Sequence, residues 1–561
     1  MVISEEQLKD IVIKANIVNE QGWAEAVGFS HSADRPVTSI LVEKGLTTDE
    51  HLGGLVAQFL KVPFVVLSRT NIPEEVFNTI PENFARRHNT VVFGRDKDGI
   101  KLAMARPAKT YIIDSIAKKT GEKITVYYAT PTDIQNTLHL FKQDLQKAAD
   151  NLLKNDLGLP GRGNLEDPPT DKIVSLLIDT AYAEKASDIH IEPKEDISLA
   201  RFRIDGILHD VLKVTKPLHD RIVTRIKVLS NLRTDEHLSA QDGKMRQQME
   251  EEHLDIRVSI IPTVDGEKIV LRLLSSRTQQ YSLTDLGMAD DDLQKVNNAF
   301  SKSYGMILST GPTGSGKTTT IYSILKIINS PEKNITSIED PVEYRIKGAN
   351  QIQVNTKTNL TFAQGLRSIL RQDPNIIFVG EIRDNETAGI AVNAALTGHL
   401  VLSTLHTNDA ATAIPRLTDM KVEPFLVAST VSIIVGQRLV RRICDKCKTE
   451  QSLPRAELEK NFPEDVIKRN FKTPKAVTIY KGQGCKICRG TGYYGRLGLY
   501  EVLEITPNIR KLIVEKADSD IISKEAVAGG MKTMIDDGLI KVTKGLTTME
   551  EVLRVTKSEF L

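Results

Sequence analysis

The stretch GPTGSGKTTT, residues 311–320, limits the possible folds more than any other part of the chain. It fits the phosphate-loop pattern GxxxxGK[ST] at Gly311, Gly316, Lys317 and Thr318. Such a loop works only between a buried strand and a helix, because successive backbone N–H groups and the helix N-terminus must all aim at one anion. Both neighbours are legible. YGMILST reads as the strand, and TTTIYSILKIIN puts Ile321, Ile324, Leu325 and Ile328 on one helical face. The expected cradle for a triphosphate is therefore Gly311, Pro312, Thr313, Gly314, Ser315, Gly316, Lys317, Thr318 and Thr319. Within it Lys317 reaches the β and γ phosphates and Thr318 holds Mg²⁺, so ATP and Mg²⁺ are the expected ligands.

Two acidic segments follow at the spacing of further strands. In NIIFVGEIRD the apolar run 376–379 reads as a buried strand whose end presents Glu381 to the phosphates, holding Mg²⁺ directly or through water. In NITSIEDPVEY a strand ends in Glu339, Asp340 and Glu343; any of the three can orient or deprotonate a water, and Glu343 is the favoured base. TGHLVLSTLHTND places His399 and His406 on either side of LVLSTL. A histidine at a strand end beside the γ phosphate, here His406, can donate a hydrogen bond to it and report hydrolysis; a structural histidine is the competing reading.

The chain's four cysteines are Cys444, Cys447, Cys485 and Cys488, two CxxC pairs separated by 37 residues. This spacing matches a closed, tetrahedral Zn²⁺ site of four thiolates. Neither pair lies in a thioredoxin-like unit, so a redox role is not expected.

At 561 residues the chain is too long for one core and predicts three or four domains. Residues 1–145 alternate helical and strand patterns and read as a small α/β module. There, Thr47 and Glu50 have capping-box spacing before the helical Leu52, Leu55, Val56 and Phe59; PFVVL reads as a strand; and TVVFGRDKDGIKLAMA reads as two strands turning at Asp98–Gly99. Residues 146–169 are the expected linker, since NDLGLPGRGNLEDPP collects Gly, Pro, Asn and Asp without a period. From 170 to 285 a helix over DKIVSLLIDTAYAEKA precedes strands in DIHIEP, SLARFRIDG and LDIRVSIIP, with turns expected at Asp205–Gly206 and Asp242–Gly243, an α+β pattern. Residues 286–561 hold the phosphate loop and the cysteines, with the metal loop at 444–488. The start MVISEEQLKD has no basic leader, and the longest candidate span, FLVASTVSIIVG at 425–436, is well short of the roughly 20 apolar residues a bilayer needs. A cytosolic protein with peripheral membrane contact is expected. Lys plus Arg total 74 against 73 for Asp plus Glu, which offers no electrostatic case for a nucleic-acid partner.

From about Thr170 onward these motifs resemble the secretion ATPases of type IV pilus assembly and type II secretion. The carrying residues are ASDIHIEP (186–193), RFRIDG (201–206), AQDGKM (240–245), GEKIVLRLL (266–274), the phosphate loop, SIEDPVEY (337–344), GLRSILRQDPNIIFVGEIRD (365–384), TGHLVLSTLHTN (397–408) and the two CxxC pairs. The resemblance implies an α/β multidomain chain: a RecA-like ATPase domain preceded by a PAS-like α+β domain and an N-terminal α/β module, assembled as a homohexamer. It further implies that Arg257 in DIRVS and Arg272 in VLRLL complete a nucleotide site across domains, and that Arg367 and Arg371 match interface arginines. A guanidinium suits charge spread over phosphoryl oxygens. The implied partners are an inner-membrane platform protein and a cytoplasmic adaptor. The N-terminal region is similar only through SILVEKGLTTDEHLGGLVAQFLKVPFVVL; where relatives open a cyclic di-GMP motif this chain reads RPVTSILVEKG, which leaves that ligand without its full pattern. The N-terminal module and the tetracysteine loop point away from retraction ATPases and towards pilus extension, with type II secretion as the alternative. A DNA-translocating ATPase and a scaffold that binds ATP without turnover are more remote readings.

Overall fold

The computed structural model describes residues 4–556 except 16, 34–35, 44–45, 68–69, 71, 98, 139–144, 158–168, 250–252, 276–281, 472–475 and 486–487. The chain divides into two compact units, Met1–Ala148 and Ala149–Leu561.

In the first unit four helices, Glu5–Lys14, Glu20–Ala33, Val37–Glu43 and Asp49–Leu60, bury Leu8, Val12, Trp23, Leu41, Leu52 and Val56 in one core. Three strands follow, β1 (Thr90–Asp96), β2 (Gly99–Met104) and β3 (Ile124–Tyr128), in the order β1-β2-β3. The β1–β2 hairpin is as expected, although Asp98 of its turn lies outside the described residues. Two local expectations change. The helix at 49 is capped by Thr48, not Thr47, because Thr48 is the last extended residue and its hydroxyl accepts from His51 N. PFVVL does not form a strand: Phe64 makes an isolated bridge to Tyr128, through Tyr128 N to Pro63 O and Val65 N to Tyr128 O. Pro63 has no N–H to extend that ladder.

The second unit begins, after the helix Leu145–Leu157 that covers part of the expected linker, with a six-stranded antiparallel sheet. Its strands are β4 (Asp188–Pro193), β5 (Ile197–Ile204), β6 (Ile207–Thr215), β7 (Gln241–Gln248), β8 (His253–Thr263) and β9 (Gly266–Leu274), in the order β6-β5-β4-β9-β8-β7. Helices Thr170–Ala183 and Lys216–Leu229 cover its apolar face. Strand alternation sends Asp188, Glu192, Arg201, Arg203, Arg257 and Arg272 to the opposite face. The Asp205–Gly206 turn is present, both residues having positive φ. Asp242–Gly243 is not a turn; it lies inside β7, where a Cβ on Gly243 would stand 3.0 Å from both Leu232 and Ser230 O. Glycine there permits close packing and not chain reversal.

The remaining strands are β10 (Gly305–Thr310), β11 (Ile335–Glu339), β12 (Ala349–Gln353), β13 (Ile376–Val379), β14 (Leu400–Leu405), β15 (Val431–Ile443), β16 (Lys448–Pro454), β17 (Ala476–Gly482) and β18 (Tyr493–Glu504). Seven of them form a sheet in the order β12-β11-β13-β14-β10-β15-β18, parallel throughout except for the antiparallel β18 edge. Apolar clusters line both faces, as the continuous hydrophobic strands require. FLVASTVSIIVG divides between a helix, Pro424–Thr430, and β15, and no helix among the described residues is long and apolar enough to cross a membrane. The β16–β17 hairpin, with two short helices between its strands, is inserted between β15 and β18.

Among the described residues, hydrogen bonds and ion pairs join the antiparallel sheet to the seven-stranded half of this unit in two groups. Arg257 Nη2 donates to Val342 O at 3.2 Å and lies 3.5 Å from Glu343. Elsewhere Gly495 N donates to Asp205 Oδ2 at 2.7 Å, and Arg489, next to Cys488, pairs with Glu184 at 2.5 Å.

Candidate functional site

The phosphate loop leaves the C-terminal end of β10, in the middle of the parallel sheet, where ligands of open α/β sheets bind. Gly311, Gly314 and Gly316 have φ of 145°, 79° and 90°, conformations that favour glycine. Gly316 opens the helix Lys317–Ile328 with no side-chain cap, so the first amides of that helix remain available to an anion. Lys317 folds over the loop and donates to Gly311 O at 2.7 Å and Pro312 O at 3.0 Å. Burial pulls its ammonium down to about 8; the Glu381 carboxylate opposes this, and the Arg438 guanidinium reinforces it.

Glu381 follows β13 and is nearly enclosed. Arg383 Nε lies 2.6 Å from it and His406 Nε2 3.2 Å. Burial first, then the Lys317 charge, lowers the His406 pKa, which favours the neutral ring with one donor and one acceptor. His399 is at the other end of β14, with Nδ1 2.9 Å from Ala394 O, and takes no part in this cluster. A strand of that length separates the two rings by roughly 20 Å.

The acidic strand end sorts its three carboxylates by environment. Glu339 is buried and accepts from Tyr322 Oη, from Ser337 Oγ at 2.6 Å and from Gln351 Nε2 at 3.1 Å. Burial raises its pKa despite those donors. Its acceptor capacity is spent on holding the phosphate-loop helix to β11 and β12, which leaves the exposed Asp340 and the half-buried Glu343. Glu343 is the one that meets Arg257.

Arg257 and Arg272 are directly paired across β8 and β9. Only Arg257 reaches the acidic strand end; Arg272 Nε donates to Asp188 Oδ1 at 2.9 Å. Arg367 pairs with exposed Glu386 at 2.5 Å, and Arg371 donates to Arg367 O and Ser368 Oγ of its own segment.

Sequence reasoning passed over Gln437 and Arg438 of β15. Thr310 pairs with Gly436, so these two residues stand beside the loop itself. Thr320 Oγ1 donates to Gln437 Oε1 at 2.7 Å, and Arg438 Nη2 donates to Asn408 O at 3.1 Å. The signal was a Gln-Arg pair interrupting the apolar run of SIIVGQRLV.

The four cysteine sulfurs all lie within 4.8 Å of one another, with Cys444–Cys485 and Cys447–Cys488 at 3.8 Å and Cys485–Cys488 at 3.6 Å. A tetrahedral zinc with bonds of about 2.3 Å needs sulfur–sulfur edges of about 3.8 Å, so the donor set fits that metal. Burial opposes ionisation of Cys488, but N–H groups of Cys485 and Gly492 aimed at its sulfur hold it down to about 7.

A parallel sheet with a phosphate loop, carboxylate and histidine strand ends beside it, and an arginine sheet packed against it define a P-loop ATPase of the secretion-motor class. The chain belongs to the type II/IV secretion system protein family, whose model matches residues 164–554. An MshEN domain matches residues 60–148. The chain is 35% identical to the type IV pilus assembly ATPase PilB of Myxococcus xanthus, over 98% of each protein. It is 38% identical to the type II secretion system protein E of Pectobacterium carotovorum, over 86% of this chain and 97% of that one. The ATPase DotB of Legionella pneumophila shares the fold at 20% identity, with a TM-score of 0.52 over 70% of this chain and 98% of that one. The chain is accordingly an ATP-hydrolysing enzyme of this family.

Proposed function

We propose that the chain is the motor ATPase of type IV pilus assembly, working as a homohexamer on the cytoplasmic side of the inner membrane and driving pilin polymerisation through a platform protein. The observation that carries the motor reading is the reach of Arg257 from the antiparallel sheet to Glu343 beside the phosphate loop. A ligand touching both sheets binds their closed arrangement more strongly than the open one, so turnover becomes domain movement. Support for pilus assembly over secretion is the alignment with pilus ATPases across 97–98% of the chain, N-terminal module included.

In this reading backbone amides 311–319 and Lys317 hold the phosphates, while Thr318 and Glu381 are the groups that would hold Mg²⁺, which supplies charge neutralisation there. Glu343 takes the proton of the attacking water, and Arg257, with Arg272 beside it, balances the charge that develops. His406, neutral and tied to Glu381, senses the γ phosphate. Cys444, Cys447, Cys485 and Cys488 hold one structural Zn²⁺. The 1–145 module serves docking or regulation, an adaptor being its partner. Cyclic di-GMP remains without its full motif.

Purified chain should hydrolyse ATP only with Mg²⁺, sediment as a hexamer and carry one zinc per chain. Deleting the gene should abolish surface pili while leaving exported enzymes in place. Intact pili with lost export would instead favour the type II secretion reading, which the similarity to protein E supports.

A further inference from the structure

His406 can act on the phosphate site only if the loop carrying it is fixed relative to Lys317. That loop is held at three successive main-chain positions. Arg438 donates to Asn408 O at 3.1 Å, Thr310 Oγ1 donates to Asp409 O at 3.2 Å, and Glu501 accepts from Ala410 N at 3.0 Å. The three side chains come from β15, β10 and β18, all on the side of β14 away from β13, whose end carries Glu381.

Among these three, Arg438 comes from the strand that pairs with β10 at the residue before the phosphate loop. The Thr310–Gly436 pairing brings Gln437 and Arg438 level with the start of that loop, and alternation sends them to opposite faces. Gln437 takes the helix side: its main-chain O is 2.4 Å from where a Cβ on Gly311 would be, and its amide binds Thr320. Arg438 takes the side of Asn408 and lies close enough to Lys317 to affect its charge. Its Nε is enclosed and has no hydrogen-bond partner among the described residues. An enclosed guanidinium N–H without an acceptor is costly, so its position has to be held by the surrounding strands.

We propose that Arg438 is a positioning residue for hydrolysis, tying the 406–410 loop to β15, the strand beside the phosphate loop, in the same chain and so holding His406 against Glu381. The proposal rests on the ATPase reading of this site. It gives β15 a part that the sequence motifs do not assign, and it acts within one chain, unlike a contact supplied by a neighbour. Because Ala410 N is bound to Glu501 of β18, a shift of the loop on phosphate release reaches the β18 edge and the helices packed against it.

The test uses the full chain with Mg²⁺ and ATP. Arg438→Ala should lower kcat by about 10²-fold while KM moves less than about threefold, as expected when a preorganising donor is lost. Amide exchange over residues 405–412 should rise in the same variant with ADP bound, and ADP affinity should stay within about threefold. Arg438→Lys, which keeps one donor and the charge, should restore at least about tenfold of the lost turnover. If Arg438→Ala does not fold, Arg438→Lys carries the same measurements and should show a smaller loss of the same kind. A kcat within about threefold of the unaltered chain, an equal rise in KM, or unchanged exchange over 405–412 overturns the assignment. Should the unaltered chain fail to hydrolyse ATP, the motor reading fails, and the exchange measurement still decides the role of Arg438.

Discussion

The phosphate site and the C-terminal edge of the same sheet are both crowded with charge, but they treat it in opposite ways. At the edge, Glu551 accepts from Arg441 N, from Arg441 Nη2 and twice from Arg554, at 2.7 to 2.9 Å. Asp537 accepts from Tyr500 N and Lys541 Nζ, and Lys541 also donates to Gly498 O. At the phosphate site Lys317 rests on carbonyls of its own loop, Glu343 has one ion-pair partner at 3.5 Å, and Arg438 keeps an unused donor. Filled charges make a brace; at the phosphate site the charges keep room for a ligand. Charge density alone therefore does not mark a site.

The sharpest way to break this contrast is Lys317→Ala. Turnover should fall by about 10³-fold or more, equivalent to about 4 kcal/mol, with the melting temperature nearly unchanged. A large loss of stability would place Lys317 in the brace. Next comes Lys541→Met, which leaves Asp537 buried and unpaired; urea unfolding should show a loss of about 3 kcal/mol. Retained stability would mean that the pair is dispensable.

Two buried glutamates then sharpen the comparison by sign. Glu551 is held down to about 2 by its arginine bonds, against burial and from an ordinary 4.5. Its contribution is complete above pH 4.5 and disappears as the pH falls through about 2. Glu551→Gln should accordingly cost about 2 kcal/mol at pH 7 in chemical unfolding, and nothing at the acid limit. Glu501 has no cationic partner among the described residues, and burial pushes it up to about 7, against the Ala410 N–H. The folded chain keeps its proton while the unfolded chain has lost it, so stability is shed between pH 4.5 and 7. Glu501→Gln should be close to neutral at pH 5 and should favour the folded chain by about 1 kcal/mol at pH 8. The opposite pH trend would show that Glu501 is paired.

The phosphate loop, its flanking strand and helix, both acidic strand ends and the clustered cysteines were all legible because each depends on a short run of sequence. What failed depended on distant partners. PFVVL has strand composition, but among the described residues its one strand-like pairing is the isolated bridge of Phe64 to Tyr128 of β3. Asp242–Gly243 has turn composition, but the glycine answers to Leu232 and Ser230. Sequence reasoning favoured Glu343 but left Glu339 in play; Tyr322, Ser337 and Gln351 remove it by filling Glu339 alone. Arg438 was hidden for the same reason, since its importance comes from the register of β15 against β10, more than a hundred residues away in the chain.

The two contacts between the antiparallel and parallel sheets have a mechanical consequence. Both contact groups tie the antiparallel sheet to the half of the unit that carries the phosphate loop. Here one pin is Arg257 on Val342 and Glu343, and the other is the Asp205 turn on Gly495 together with Glu184 on Arg489. Since Arg489 follows directly on Cys488, the second pin lies beside the cysteine cluster. A strain on the antiparallel sheet is thus passed to two distant places at once, the carboxylate of Glu343 and the loop where four sulfurs meet.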